Sequence, residues 1–261
     1  MTDQIWTLLR DDGPLVATAI HAGHAVRPEV EALMAIDEEG RLREEDPFTD
    51  VWTSVAPTQV IGLRSRFEVD LNRPRERAVY MTPDQAWGLR VWENSIPEEI
   101  LARSMAQRDL FYDAMRTLFE SMAREHGRFI VLDLHSYNHR RGGPEAPPAA
   151  PEENPDIIIG TRTMTDRSRW AGIIDRLIAD LRAFDFPTGR IDVRENVKFG
   201  GGNFAHWTHT EFPESAGVIS FEFKKIFMDE WTGVPDPLWL EAIGEALRRC
   251  VPGILEEIRS A

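Results

Sequence analysis

The segment Arg128–Ser136, with the sequence RFIVLDLHS, decides the fold predicted for this chain. It is a short apolar run rich in β-branched and aromatic residues, which is typical of a buried strand. Asp133 and His135 are two residues apart, so their side chains face the same side of that strand. A polar group inside a buried strand costs free energy unless another group pairs with it, and we therefore expect partners for both side chains.

A second apolar run, Leu15–Ile20, leads into His21, and His24 follows three residues later. Two buried strands thus carry histidines at their carboxyl ends. In open α/β folds ligands bind at that edge of the sheet. The two runs together predict a metal site there.

Strands and helices alternate along the chain, which predicts an α/β fold with a mixed, mostly parallel central sheet and helices on both faces. Apolar stripes predict helices over Ser104–Glu125, Asp166–Phe184 and Asp236–Cys250. One predicted strand, Phe67–Leu71, follows another too closely for a crossover, so some antiparallel pairing is expected. The predicted strands are Leu15–Ile20, Gln59–Arg64, Phe67–Leu71, Arg128–Leu134, Ile157–Gly160, Ile191–Val193 and Val218–Phe223.

The length of 261 residues predicts a single domain spanning residues 1–261. Within it, the Pro-rich segment 140–155 is predicted to be an irregular loop, because its proline density excludes a helix or a central strand. Since this loop follows His135 closely, it is placed to form a wall or lid over the predicted site. The sequence does not indicate an oligomeric state.

The net charge of −14 argues against a nucleic-acid partner and against an anionic membrane surface, because both need a basic protein surface. The single cysteine, Cys250, cannot form an internal disulfide and fits a reducing compartment. The sequence also shows no secretory leader and no apolar window of membrane-spanning length. We therefore expect a cytoplasmic location.

His21 and His135 are the first two candidate metal ligands, because imidazoles with a carboxylate are the usual ligands of catalytic zinc. The third candidate is Asp46 or, alternatively, His24. Asp133 could orient a ligand imidazole from behind. Zinc is the expected metal, although such a ligand set also accepts other divalent ions.

Glu222 lies in another apolar run and is interpreted either as a general base or as half of an internal ion pair with Lys224 or an arginine. The glycine run at 200–202 indicates either close backbone approach to a ligand or a plain turn. His206 and His209 are predicted to lie at the surface in a loop. An arginine-rich stretch indicates recognition of an anionic small molecule or a surface salt-bridge face; it contains Arg64, Arg66, Arg73, Arg75 and Arg77.

Taken in order, these motifs resemble the N-formylglutamate amidohydrolase family, relatives of aspartoacylase and the zinc carboxypeptidases. Each motif is weak alone, but five in the family's order are fairly specific. The matching segments are His21–Gly23, Ser65–Arg66 leading to Asp70–Arg73, Asp133–Ser136, Phe199–Gly202, and Phe221–Lys225 with Met228–Glu230.

The resemblance implies a zinc-carboxypeptidase/phosphorylase-like fold and a hydrolase with one Zn²⁺ per chain. Its expected substrate is a small acidic N-acyl amino acid, and its expected reaction is deformylation or a related acyl removal in amino-acid metabolism. Aspartoacylase-like relatives have a glutamate where His24 stands, whereas the formylglutamate branch shares an acidic residue at Asp46, which favours Asp46 as third ligand. The implied roles are metal binding by His21, His135 and Asp46, catalysis by Glu222 and Arg66, and substrate binding by Asn72, Arg73, Gly201 and Gly202.

Two other functions are consistent with these residues. The chain could be a non-catalytic sensor of an acidic metabolite, although a buried Glu222 beside an anion pocket would repel such a ligand. It could also be a carboxypeptidase-like peptidase, which would need a longer open cleft than the Pro-rich loop favours.

Overall fold

The computed structural model describes residues 4–260, and its centre is one seven-stranded sheet. The strand order is β1-β3-β2-β4-β7-β5-β6. The strands are β1 (Trp6–Leu9), β2 (Leu15–Ala19), β3 (Thr58–Gly62), β4 (Phe129–Tyr137), β5 (Ile157–Gly160), β6 (Val193–Glu195) and β7 (Ala216–Lys224).

Four of the six neighbouring strand pairs are parallel, and the pairs β1–β3 and β5–β7 are antiparallel. The predicted mixed, mostly parallel α/β sheet is therefore confirmed. Strands β2 and β4 are buried along their whole length. Such continuous burial explains their nearly unbroken apolar sequences, since parallel strands are covered on both faces.

Helices cover both faces of the sheet. Alternate residues of β4 divide between two apolar cores, with Leu132 packing toward α4 and α6 and Val131 packing toward α3 and α5. The helices are α1 (Pro28–Glu31), α2 (Glu38–Glu44), α3 (Glu98–His126), α4 (Ala171–Ala183), α5 (Asn203–Glu211) and α6 (Pro237–Ser260). Short 3₁₀ helices occur at Thr49–Val55, Arg75–Arg77, Pro83–Ala86 and Arg167–Trp170.

The predicted strand Phe67–Leu71 is wrong, because this segment begins in a tight turn. Ser65 closes the turn: its carbonyl accepts from Glu68 N at 3.0 Å, and its hydroxyl accepts from Phe67 N at 3.2 Å. The alternating apolar side chains are buried as predicted, but they pack into separate clusters instead of one sheet face. The antiparallel edge is supplied instead by β1, which the sequence analysis missed.

The helices also differ from the predictions. Helix α3 begins at Glu98, six residues before the predicted Ser104. Helix α6 continues through Pro252 to Ser260, because Ile254, Leu255 and Ile258 continue its apolar contact with the core and outweigh the cost of an internal proline. Helix α5 occupies the segment that was predicted to be a loop. The Pro-rich segment contains neither helix nor strand, as predicted.

Among the helices of residues 4–260, none combines the length and the apolar character needed to cross a membrane.

Candidate active site

The carboxyl edge of the sheet brings together three buried side chains, His21, Asp46 and His135. One nitrogen of each imidazole and one carboxylate oxygen all lie within 4.8 Å of one another. Asp46 Oδ2 is 2.9 Å from His135 Nδ1 and 3.4 Å from His21 Nδ1. Such a convergence of imidazole and carboxylate donors could hold a metal ion.

Backbone structure explains this convergence. His21 follows β2 by two residues, and His135 lies near the carboxyl end of the adjacent parallel strand β4. Asp46 lies beyond the end of α2 and precedes Pro47, a position that favours extended backbone. Its amide donates to the carbonyl of His21 at 3.0 Å, which fixes the carboxylate beside the histidines.

Each imidazole is held from behind by a second buried carboxylate. His21 Nε2 is 2.7 Å from Asp70 Oδ1, and His135 Nε2 is 3.1 Å from Asp133 Oδ2. Thr18 in turn donates to Asp133 Oδ1 at 2.7 Å. Carboxylates behind the histidines are the usual outer support of metal-binding imidazoles, so the residues present fit a metal ion.

The carboxylates of this cluster keep their negative charge. Burial alone would raise the pKa of Asp46, but hydrogen bonds from His135 and His21 hold that pKa far below its usual range. Likewise, burial opposes charge on His135, yet the charges of Asp133 and Asp46 raise the pKa of its imidazole. A metal ion binds the neutral imidazole, so metal binding and protonation would compete at His135.

His24, the alternative third ligand, lies outside this cluster. Its Nδ1 is 2.5 Å from Glu45 Oε2, and its Nε2 is 3.4 Å from Glu38 Oε1. The side chain is one-third exposed, whereas those of His21 and His135 are 3% exposed. The fold therefore brings Asp46, and not His24, to the two histidines.

Glu222 lies on β7 directly beside His135 in the parallel register. Neighbouring strands are about 4.8 Å apart, so the two side chains emerge side by side on the same face of the sheet. Burial, the largest effect, raises the pKa of Glu222 to about 8. The alternative ion pair with Lys224 is wrong, because Lys224 bonds to Asp156 at 2.7 Å.

Next to the cluster, the buried carboxylate of Asp70 pairs with the partly buried guanidinium of Arg66. Arg66 Nη2 donates to Asp70 Oδ2 at 2.9 Å, and the hydroxyl of Tyr80 also donates to this oxygen. Burial would raise the pKa of Asp70, but the charges of Arg66 and His21 hold it well below its usual range. Asp70 therefore orients Arg66 and His21 together.

Asn72 and Gly202 pack tightly against each other at the start of α5. The side-chain oxygen of Asn72 accepts from Phe204 N at 2.9 Å, and its nitrogen lies 3.4 Å from His135 Nε2. A side chain at Gly202 would collide with the Asn72 amide at 2.2 Å. Gly201 has a φ of 107°, a region that favours glycine. The glycine run therefore allows close backbone packing beside the cluster.

These groups surround a cavity of about 310 Å³. Positive and negative side chains both line it, and the positive ones are more numerous. Its charged lining consists of Glu44, Asp46, Arg66, Arg73, Arg141, Lys198, Glu222 and Lys225, alongside the two histidines. The volume suits a small molecule, and the excess of cations favours an anionic one.

Several lining residues were missed by the sequence analysis. Trp87 adopts left-handed backbone with a φ of 54°, and its ring contacts the guanidinium groups of Arg66 and Arg141 at 4.9 Å and 5.9 Å. Lys225 donates to the carbonyls of Arg43 and Glu45, which steadies the segment before Asp46, and burial lowers its pKa to about 8. The one distinguishing feature of Trp87 is its left-handed backbone, which cannot be read from the sequence.

Other candidates lie away from the cavity. His206 is exposed on α5, as predicted for a surface residue. His209 is buried instead: its Nε2 accepts from Val218 N at 2.9 Å, and burial lowers its pKa to about 4. Arg75 pairs with Asp109 on the surface, whereas Arg66 and Arg73 line the cavity, so the arginine stretch is divided between a surface ion pair and the cavity wall.

The fold and this cluster define an α/β protein with a buried His/Asp/His candidate metal centre at the carboxyl edge of its sheet. A model of N-formylglutamate amidohydrolases matches residues 13–225. The chain belongs to the N-formylglutamate amidohydrolase family, a family of hydrolases that act on amide bonds, and the predicted resemblance is confirmed.

Solved structures show the same fold. The structure of N-formylglutamate amidohydrolase from Ralstonia eutropha JMP134 matches with a TM-score of 0.77 and 18% identity, covering 98% of each chain. The gene product Atu2144 from Agrobacterium tumefaciens matches with a TM-score of 0.66 and 16% identity, covering 96% of each chain. A search of curated proteins finds no match.

Proposed function

We propose that this protein is a zinc-dependent amidohydrolase that removes a formyl or similar acyl group from the nitrogen of a small acidic amino acid. The observation that carries the proposal is the buried His21–Asp46–His135 cluster beside Glu222 in a cavity rich in cations. Membership of the N-formylglutamate amidohydrolase family supports the substrate class.

The three clustered side chains would hold the metal, leaving room for further ligands as catalytic zinc sites do. Bound zinc would supply Lewis-acid activation of water and of the amide carbonyl. Asp70 and Asp133 would keep both imidazoles correctly oriented. The cofactor proposed is one Zn²⁺ per chain, with other divalent ions as substitutes.

Glu222 is the proposed general base and acid. Its carboxylate accepts a proton from the attacking water and later donates it to the nitrogen of the departing amine. Burial makes the carboxyl group reluctant to ionise, and a nearby cation would counter that effect. The carboxyl group of Glu222 would therefore be able to accept and then release a proton within one turnover near neutral pH.

Arg66 would stabilise the negative oxygen that develops on the carbonyl, because Asp70 already fixes its guanidinium. Arg73 is more available to a substrate carboxylate: its side chain is 36% exposed and lies 3.8 Å from Asp70. Asn72 would position the reacting group beside His135, and the backbone at Gly201 and Gly202 would border it. Holding the substrate in this way removes much of the entropy cost of the reaction.

The test is formate release from N-formyl-L-glutamate by protein stripped of metal and then reloaded with zinc. We expect turnover only in the loaded protein, together with about one zinc per chain. A short unformylated peptide serves as the comparison substrate.

Binding of N-formyl-L-glutamate without turnover would overturn the enzyme assignment in favour of a sensor. Faster cleavage of the peptide would instead identify a peptidase. Full turnover after complete metal removal would contradict the zinc dependence but would leave the amidohydrolase assignment intact.

A further inference from the structure

The segment Asn138–Arg141, which opens the Pro-rich loop, contributes directly to the cavity. Asn138 and Arg141 both line it. The backbone amides of His139 and Arg140 donate to the buried carboxylate of Glu230 at 2.8 Å and 2.7 Å. The indole of Trp231 donates to the carbonyl of Arg140 at 3.0 Å. The backbone just before Arg141 is therefore held in place through both its amides and its carbonyl.

Arg141 reaches from this anchor to Glu44. Its Nη1 and Nη2 lie 3.1 Å and 2.9 Å from the two oxygens of that carboxylate, an end-on bidentate pair. Glu44 is buried, but the Arg141 side chain is 50% exposed. A guanidinium carries five N–H donors, and this pair uses only two of them. Among the described residues, the Nε of Arg141 has no hydrogen-bond partner, so one edge remains free for a ligand.

Lys198 brings a second positive charge to the same place. Its Nζ donates to Asn154 Oδ1 at 2.8 Å, which ties it to the far end of the Pro-rich loop. It forms no ion pair with any residue in 4–260. Burial and the charge of Arg141 both lower the pKa of Lys198, so the two cations are close enough to repel each other. An anion placed between them would relieve that repulsion.

Trp87 packs against Arg141 of this pair and also against Arg66. The cavity therefore has two sets of cations. Arg66 and Arg73 come from the segment after β3, and Arg141 and Lys198 come from the Pro-rich loop and from the residues just before the glycine run. A ligand with a single carboxylate would contact only one of these sets.

We propose that Arg141 and Lys198 form a second carboxylate subsite, which binds the side-chain carboxylate of the acidic substrate while Arg73 holds its α-carboxylate. Glu44 is a positioning residue in this subsite, because it orients the Arg141 fork without touching the substrate. Each of the two carboxylates of an N-acyl acidic amino acid then has its own cationic partner in the cavity. This inference rests on the proposed function.

The test compares N-formyl-L-glutamate with N-formyl-L-glutamine, which has the same shape but a neutral side chain, in the wild type and in R141M and K198M. We expect the wild type to prefer the glutamate substrate in kcat/KM. Each variant should lose roughly 10- to 100-fold of this preference, the scale of hydrogen bonds to a charged group. Turnover of the glutamine substrate should stay within about threefold of the wild type, since its neutral amide gains no charge-assisted bond from either cation.

The matched control is R140M, which removes the same charge from the neighbouring residue. Arg140 does not line the cavity and lies 3.6 Å from Asp229. Its variant should retain the wild-type preference. Equal loss in R140M and R141M, or an unchanged preference in both R141M and K198M, would overturn the subsite.

Calorimetric binding of L-glutamate and L-glutamine to the zinc-loaded protein separates this inference from the proposed function. Weaker glutamate binding in R141M, with glutamine binding unchanged, supports the subsite even if the protein hydrolyses neither formyl substrate. Equal binding of the two amino acids to the wild type would overturn it even if hydrolysis occurs.

Discussion

The base and the rim of the cavity are built differently. The three clustered side chains at the base come from the carboxyl edge of the sheet and are 3% exposed. Arg141 at the rim comes from an irregular loop, and half of its side chain is exposed. The candidate metal ligands are thus buried in fixed surroundings, whereas the group proposed to bind the substrate lies where solvent and ligands have access.

The two regions also differ in how charge is balanced. At the base, each histidine already pairs with a buried carboxylate, His21 with Asp70 and His135 with Asp133, before any ligand arrives. At the rim, Arg141 is only partly occupied by Glu44, and Lys198 pairs only with an amide oxygen. Substitutions at the base should therefore abolish metal binding or chemistry, whereas substitutions at the rim should change substrate affinity.

The largest effect is expected from removing a metal ligand. D46A should lower bound zinc from about one per chain to near zero and reduce turnover to background, because two imidazoles alone make an incomplete site. The measurement is metal content after gel filtration. H24A is the matched control and should retain the metal; loss of zinc in H24A with retention in D46A would reverse the assignment of the third ligand.

E222Q tests the chemical step within the base. Turnover should fall at least about 100-fold, the scale of general acid–base catalysis, because an amide cannot accept the proton. Zinc content should stay unchanged, which separates this variant from D46A. Turnover near the wild-type value would remove Glu222 from the mechanism.

D133N tests the support behind His135. Asparagine keeps the shape of aspartate but loses its charge, so zinc affinity should fall about 10- to 100-fold, as is usual for such outer partners of metal ligands. Competition with a coloured chelator measures this change. An affinity within twofold of the wild type would mean that the charge of Asp133 does not support metal binding by His135.

The smallest effect is expected at the rim. E230Q weakens the anchor of His139 and Arg140, because an amide oxygen accepts hydrogen bonds less strongly than a carboxylate. The KM for N-formyl-L-glutamate should rise by up to about tenfold, equivalent to one charge-assisted bond, with kcat unchanged. A lower kcat with unchanged KM would instead couple this loop to the chemical step.

Much of the base could be predicted from the sequence, because its signals are local. An apolar run such as Arg128–Ser136 has few ways to bury itself, and its period of two puts Asp133 and His135 on one face. The run before His21 has the same character. Parallel pairing of β2, β4 and β7 then brings the carboxyl ends of these strands to one edge of the sheet. Glu222 on β7 therefore lies at the same edge as the two histidines.

The rest was decided by tertiary structure. Phe67–Leu71 alternates like a strand, but the hydrogen bonds of Ser65 turn the chain there. Helix α6 passes Pro252 because core packing outweighs a local penalty. The choice of Asp46 over His24 depends on an amide that bonds to the His21 carbonyl, a contact across 25 residues of sequence.

The sequence by itself determined the α/β class, the strands that carry the histidines and Glu222, and the family motifs. Only the tertiary structure decided that Asp70 backs His21 and that Arg141 and Lys198 border the cavity. The physical reason is the sequence separation of the interacting residues. Hydrophobic periodicity is a pattern among residues close together in the chain. Ion pairs such as Arg141 with Glu44 join residues 97 positions apart, so the folded chain alone sets their distances.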